Sequence, residues 1–331
     1  MNLQERKDLM VQLGRFMQTD DEAWQGAKRK ATNENPWFLS EFIELSIRNI
    51  CDRFLKEEQL QSLIDRYQLT DNTSPKKVGI VMAGNIPLVG FHDMLCVFMT
   101  GHYAVIKPSS KDDALIRFIV RKLTEWKPEA VPYFTIGEML KGCYAYIATG
   151  SNNSSAYFDY YFAKYPHIIR RNRTSVALLT GEETEDELSA LADDVYQFFG
   201  LGCRNVTKIM VPKDYNFEPL LNSFKKYSYL FDYQKYRNNY DYNLAIHLLN
   251  SRYFMSSGSM LLVEDASPFS PISQLHYEFY DDINKAKASL QNNDAIQCVV
   301  GKDSVPFGGA QQPGICEYAD GVDTIRFLTE L

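Results

Sequence analysis

A chain of 331 residues with 45% hydrophobic content is long enough for two domains or one large α/β unit, and it carries ample apolar material for a full core. Its net charge of −7 comes with lysines and arginines dispersed rather than blocked, which argues against a nucleic-acid partner, since phosphate binding needs a basic patch. The apolar runs are too short to span a bilayer, and the charged N-terminus Met1-Asn2-Leu3-Gln4-Glu5-Arg6-Lys7-Asp8 has no apolar core behind it, so a cytoplasmic protein without a membrane span is expected.

Residues 1–74 read as a helical N-terminal region. Apolar residues recur at helical spacing at Leu9, Met10, Leu13, Phe16 and Met17, again from Phe42 to Phe54, and again at Leu60, Leu63, Ile64 and Tyr67. Asn35-Pro36-Trp37-Phe38 interrupts the first two patterns, as proline-containing turns do.

After the loop Asp71-Asn72-Thr73-Ser74-Pro75 the texture changes to short apolar runs alternating with helical patterns, which indicates βαβ units and a parallel sheet. Over 75–180 this reads as a nucleotide-binding, Rossmann-like lobe. A strand over 78–83 leads into Gly84-Asn85-Ile86-Pro87 and a helix through Leu95 and Phe98. A second, Tyr103-Ala104-Val105-Ile106, ends at Lys107-Pro108-Ser109-Ser110 before a helix through Leu115, Ile119 and Leu123. A third, over 144–148, ends in Thr149-Gly150-Ser151. Ligands bind at such carboxyl ends, with helix N-termini suited to phosphate. No G-x-G-x-x-G occurs.

Residues 181–310 read as a catalytic lobe and 311–331 as a C-terminal segment. A helical pattern through Leu188, Leu191, Ala192, Val195 and Phe199 is ended by Gly200 and Gly202, which flank the approach to Cys203. Amides around such a turn lower a thiol pKa and offer an oxyanion a donor. Cys203 is therefore the candidate nucleophile; the competing reading is a small buried hydrophobe. The six cysteines contain no C-x-x-C pair and no histidine cluster accompanies them, which argues against a structural metal or a disulfide framework. Tyrosines crowd at 227, 229, 233, 236, 240 and 242, either lining an acyl tunnel or packing between helices. His92 and His247 fall in helical apolar patterns and read as packing residues.

Gly84-Asn85-Ile86-Pro87-Leu88, Val105-Ile106-Lys107-Pro108-Ser109, Ala148-Thr149-Gly150-Ser151, Gly202-Cys203 and Pro306-Phe307-Gly308-Gly309 resemble, in order and spacing, the motifs of the aldehyde dehydrogenase superfamily. The C-terminal text, with Ala310-Gln311-Gln312-Pro313 and Tyr318-Ala319-Asp320-Gly321, resembles more narrowly the LuxC-type acyl-CoA reductases of bacterial luminescence. The resemblance implies an α/β fold of two lobes, each with a parallel-rich sheet flanked by helices, and an active cleft between them. It implies that Cys203 attacks an acyl-CoA thioester, that the Asn85 amide and the Cys203 N–H stabilise the oxyanion, and that hydride from a nicotinamide releases an aldehyde. Lys107 would address the adenosine ribose and Gly150 with Ser151 the pyrophosphate, with Ser109 and Thr149 completing the cofactor-binding set.

Three departures from the superfamily pattern carry information. Ser110 stands where a ribose-binding glutamate is common, which favours NADPH, with NADH as the alternative. Ile169 stands where acid-forming members keep a water-activating glutamate, which favours reduction over hydrolysis. Ser267 stands where a glutamate positions the nicotinamide ribose, leaving Glu264 as the substitute. Arg170, Arg171 and Arg173 are open to two readings, phosphate contact or solvated edge. The chain shows no β-hairpin arm of the kind used for subunit pairing, and a homo-oligomer is left open. The rival readings are an aldehyde dehydrogenase, an acyl-phosphate reductase, and a catalytically degenerate binding subunit.

Overall fold

A computed structural model describes residues 1–331 apart from Ser151 and the side chains of residues 152–154 and 156. The chain forms two compact units, one of Met1–Asn172 with Pro313–Leu331 and one of Arg173–Gln312.

The first unit begins with four helices, α1 (Leu3–Met17), α2 (Glu22–Glu34), α3 (Ser40–Arg53) and α4 (Glu57–Tyr67). Asn2 and Glu5 form a reciprocal capping box at the start of α1, and Asp21 caps α2 through the Trp24 amide. There follow β1 (Lys77–Val81), α5 (Phe91–Met99), β2 (Tyr103–Lys107), α6 (Ala114–Trp126), β3 (Phe134–Ile136), β4 (Ala145–Thr149), α7 (Asn152–Phe162) and β5 (His167–Arg170). The sequence pattern foresees three strands here; the sheet has five, in the order β3-β2-β1-β4-β5, all parallel. The two additional strands have three and four residues and lie at the edges, too short for a period to register. The N-terminal helices join this unit through α1 against α3, α4 and α5, and α2 against α3 and α6. They share one apolar core with the sheet, centred on buried Trp24, Phe38, Phe91 and Phe98. A C-terminal helix, Thr324–Thr329, packs on α5. His102 fastens it: Nδ1 accepts the Lys76 amide at 3.0 Å and Nε2 meets the Leu328 carbonyl at 2.9 Å, partners that suit only the neutral ring with its proton on Nε2.

The second unit contains β6 (Thr174–Leu178), α8 (Glu185–Tyr196), β7 (Val206–Pro212), α9 (Glu218–Phe224), α10 (Gln234–Leu249), β8 (Met255–Ser256), β9 (Leu261–Glu264), β10 (Gln274–Tyr280), α11 (Ile283–Gln291) and β11 (Ile296–Gly301). Its sheet runs β11-β6-β7-β10-β9-β8 and is parallel except for β8. β6 is buried at every position, as expected for a parallel strand covered on both faces. Thr184 and Glu187 form a second capping box, at the start of α8.

Candidate active site

Helix α8 stops at Tyr196, earlier than the pattern through Phe199 foresees, because the chain turns left-handed: Phe198, Phe199 and Gly200 have φ of 54°, 55° and 73°. Only glycine adopts that region without cost. The two phenylalanines are held there by burial, and the Phe199 ring lies 5.6 Å from that of Tyr236. The reversed chain enters a turn at Gly202 and leaves it as β7, so Cys203 sits on the turn ahead of the strand. Asn205, fully buried, holds the turn from inside. Its Oδ1 accepts the Gly202 amide at 2.8 Å, and its Nδ2 donates to the carbonyls of Asp194 and Gln197 at 3.0 and 2.8 Å.

The orientation of the Cys203 peptide groups follows from these bonds. The Gly202 carbonyl accepts the Asn205 amide at 3.0 Å, and the Cys203 carbonyl accepts the Ser175 hydroxyl at 3.2 Å. In a planar trans peptide the N–H points opposite to its carbonyl. The Cys203 and Arg204 amides therefore point away from Asn205 and from Ser175. Cys203 itself is half-buried, and the Cys298 thiol lies 3.1 Å from the Ser175 hydroxyl.

The Pro306-Phe307-Gly308-Gly309 turn is tied to the same place. Asp194, on α8, accepts the Gly308 amide at 2.7 Å and the Ala310 amide at 2.9 Å, and Arg204 Nη1 donates to the Ala310 carbonyl at 3.3 Å. Burial pushes the Asp194 carboxyl up to about 7, against the pull of its two amide donors. Gly308 has φ of 80°, and a Cβ there would stand 3.2 Å from that of Ala190, so both backbone and space favour glycine.

In the first unit the turns after β1, β2 and β4 emerge at the carboxyl edge of the sheet, and the strand order reverses at β1, the usual place for a ligand. Asn85 and Lys107 are exposed there, while Ser109, Thr149 and Gly150 are half-buried; Ser151 lies outside the described residues. The first two turns touch, since a Cβ on Gly84 would come within 2.6 Å of Ser109 Oγ. Ser109 also accepts the Lys111 amide at 3.2 Å, so its hydroxyl shapes its own turn. Asp112 joins the turns by accepting the Leu88 amide at 2.6 Å. Its Oδ1 is buried with no hydrogen-bond partner among the described residues, and burial pushes the carboxyl up to about 7. Asn35, in the break after α2, donates to the Lys111 carbonyl at 3.1 Å.

Other candidates are placed differently. Glu264 ends β9 exposed and level with Tyr277 of β10, which is level with Ile209 of β7. That is about 10 Å along the strand from Val206 and two strand spacings across, so the structure does not bring Glu264 to the Cys203 loop. Ser267 is a turn residue, its hydroxyl donating to the Phe269 carbonyl at 3.1 Å. The two readings of the arginines both fail at Arg170, which is buried in a bidentate pair with Asp93 at 2.6 and 3.3 Å and donates to Ala319 and Thr324. Arg171 is paired with Asp159 at 3.2 Å. Ile169 lies half-buried in β5. Among the tyrosines, Tyr227 stacks on Tyr196 at 4.9 Å, Tyr236 donates to the Ser259 carbonyl, and Tyr240 meets Ser256, which is the packing alternative. His92 stacks between Phe54 and Tyr318, and His247 meets Gln274 at 3.0 Å.

Asn205, Asp194, Asp112 and Ser175 are absent from the candidates drawn from sequence. Asp194 alone left a signal, an acidic residue three positions after Leu191 on the apolar face of its helix.

No protein-family model and no curated protein sequence matches the chain. Solved structures do. Aldehyde dehydrogenase 21 from Physcomitrella patens, in complex with its reaction product succinate, aligns with a TM-score of 0.67 at 11% identity, covering 92% of this chain and 74% of that one. An aldehyde dehydrogenase from Mycobacterium tuberculosis complexed with NAD+ aligns at 0.64 and 15% identity, covering 87% and 70%. Succinic semialdehyde dehydrogenase from Streptococcus pyogenes, in complex with NADP+, aligns at 0.63 and 13% identity, covering 90% and 76%. The fold is that of the aldehyde dehydrogenases. Among the described residues no helix is long and apolar enough to cross a membrane.

Proposed function

We propose that the chain is an acyl-CoA reductase of the LuxC type, converting a fatty acyl-CoA to the aldehyde with NADPH. The observation that carries this reading is the Cys203 turn: a half-buried thiol on a loop whose carbonyls are spoken for by Asn205 and Ser175, with the Cys203 and Arg204 amides turned the other way. The Cys203 thiolate adds to the thioester carbonyl, the coenzyme A thiolate leaves and takes a proton from solvent, and an acyl-enzyme remains. Exchange of one thioester for another is nearly balanced in energy. In this reading the Asn85 amide and the Cys203 N–H donate to the oxyanion, an interaction whose loss typically lowers rates about 100- to 1000-fold. Sulfur then serves a second time, leaving from the reduced carbon as thiolate when the aldehyde forms.

The residues of the first unit fit a dinucleotide, because three strand-end turns emerge at the carboxyl edge of a parallel sheet where the order reverses. Lys107 and Ser109 would hold the adenosine ribose, and Thr149, Gly150 and Ser151 the pyrophosphate. The bound nicotinamide supplies the hydride. Exposed Ser110 presents no carboxylate to repel a 2′-phosphate, which favours NADPH over NADH. Two of the solved neighbours are complexes with NAD+ and NADP+, and several are named as aldehyde dehydrogenases. Ile169, apolar and half-buried, supports reduction over oxidation to the acid, since hydrolysis of the acyl-enzyme needs a base. Mixing the protein with NADPH and acyl-CoAs of increasing length, while following NADPH loss and free thiol together, tests the reading. Equal loss and release that vanish in Cys203→Ala are expected. Silence in both channels would leave a binding subunit, and acid formed from an aldehyde would make it a dehydrogenase.

A further inference from the structure

A closed circuit of bonds surrounds the Cys203 loop in the second unit. The Asp194 carboxylate takes the amides of Gly308 and Ala310. The Ala310 carbonyl takes Arg204, the residue after Cys203. Asn205 takes the Gly202 amide and returns, through Nδ2, to the main-chain carbonyl of Asp194 itself. Asp194 therefore touches both ends of the circuit, by side chain on the 306–310 turn and by backbone on the nucleophile loop. Asp194 and Asn205 are each at most 1% exposed, so every link they make is shielded from competing water. Ser175 holds the loop from the strand side, and the circuit holds it from the helix side.

We propose that Asp194 is a positioning residue for Cys203, locking the 306–310 turn and the nucleophile loop into one rigid piece. This rests on the reading of Cys203 as the acylated residue. A positioning residue acts on the rate of acylation and leaves binding alone, because a small displacement of a reacting atom costs far more than it does to a contact surface. Asp194→Asn keeps one acceptor oxygen and turns an amino group toward an N–H donor, breaking one of the two ties.

Acyl-enzyme formation is followed by intact mass and thiol release on mixing with acyl-CoA, alongside deuterium uptake at peptides covering 198–206 and 306–312. Asp194→Asn is expected to slow acylation about 10- to 100-fold, to leave half-saturation by acyl-CoA and the affinity for NADPH unchanged, and to raise uptake in both peptides. Arg204→Ala cuts the same circuit at its half-buried link and is expected to act in the same direction, with a double variant slower by less than the product of the two. If Asp194→Asn does not fold, Arg204→Ala carries both readings. Acylation at the wild-type rate in the folded variant, or uptake raised in 306–312 alone, overturns the proposal. Failure of the wild type to acylate sinks the reading of Cys203 instead, and the rigid coupling of loop and turn is then decided by the paired uptake alone.

Discussion

Asn205 accepts the Gly202 amide at 2.8 Å, and this single bond spans the Cys203 turn from its first residue to its last. The same side chain donates to two carbonyls at the end of α8, so three backbone groups in a buried place depend on one amide. Asn205→Ala removes its bonds to all three. It is expected to destabilise the protein by about 2–4 kcal/mol, measured by urea denaturation. Asn205→Asp keeps the acceptor for Gly202 but sets a carboxylate against two carbonyls, and should be no more stable than the alanine variant. A change within about 0.5 kcal/mol for either would mean the turn is held by something other than Asn205.

The two cysteines nearest each other through Ser175 are expected to behave differently. Cys203→Ala should abolish turnover with acyl-CoA while leaving NADPH titration by fluorescence intact, since the strand-end turns proposed for the cofactor lie in the other compact unit. Cys298→Ser conserves a donor toward the Ser175 hydroxyl 3.1 Å away and should keep most of the activity. Activity that survives the first change, or is lost in the second, would move the nucleophile from Cys203.

The elements that were legible in the sequence are those whose signal is local. Alternating apolar runs and helical patterns from residue 75 onward marked the parallel sheet, and small polar turns marked its carboxyl edge, because each strand and its turn are written in consecutive residues. Arg170 was not legible, since its partner Asp93 is 77 residues away and nothing beside it in the chain distinguishes a buried arginine from a solvated one. The left-handed Phe198 and Phe199 were hidden for a related reason: both fit the apolar face of a continuing helix, and tertiary packing rather than propensity selects the turn. Glu264 looked interchangeable with a position three residues on, but Glu264 is the last residue of β9 whereas Ser267 lies in the turn beyond it, and nothing local in the sequence marks where the strand ends.

Arg170 supplies a test of that correction. It is paired with Asp93 and bonded to Ala319 and Thr324, so Arg170→Leu strands a buried carboxylate and releases the C-terminal segment. A loss of about 3–5 kcal/mol is expected, together with faster amide exchange across 313–331. The affinity for NADPH should change little in the fraction that remains folded. A variant that folds normally but binds NADPH poorly would restore the phosphate-contact reading.

Asp112 gives the pH dependence a definite sign. Its carboxyl is pushed from 3.8 to about 7 by burial, with Asp113 adding to the rise and the Leu88 amide opposing it. A carboxyl raised in the fold is more protonated in the native than in the unfolded chain, so its contribution is full at acid pH and is lost as pH rises from about 4 to about 7, at up to ~1.4 kcal/mol per pH unit. Asp112→Asn cannot ionise, still offers an oxygen to Leu88, and places an amino group where Oδ1 has no partner among the described residues. Its stability relative to wild type should therefore climb between pH 5 and pH 7 and level off above. His102 works in the opposite sense: burial, the leading cause, lowers its pKa despite the Leu328 carbonyl, and stability is lost as pH falls below the ordinary histidine range. That term is common to both proteins and cancels in the difference. Parallel stability curves for wild type and Asp112→Asn across this range would mean that Asp112 stays ionised in the fold, and the Asn85 loop would then be held by a charge rather than by a neutral acid.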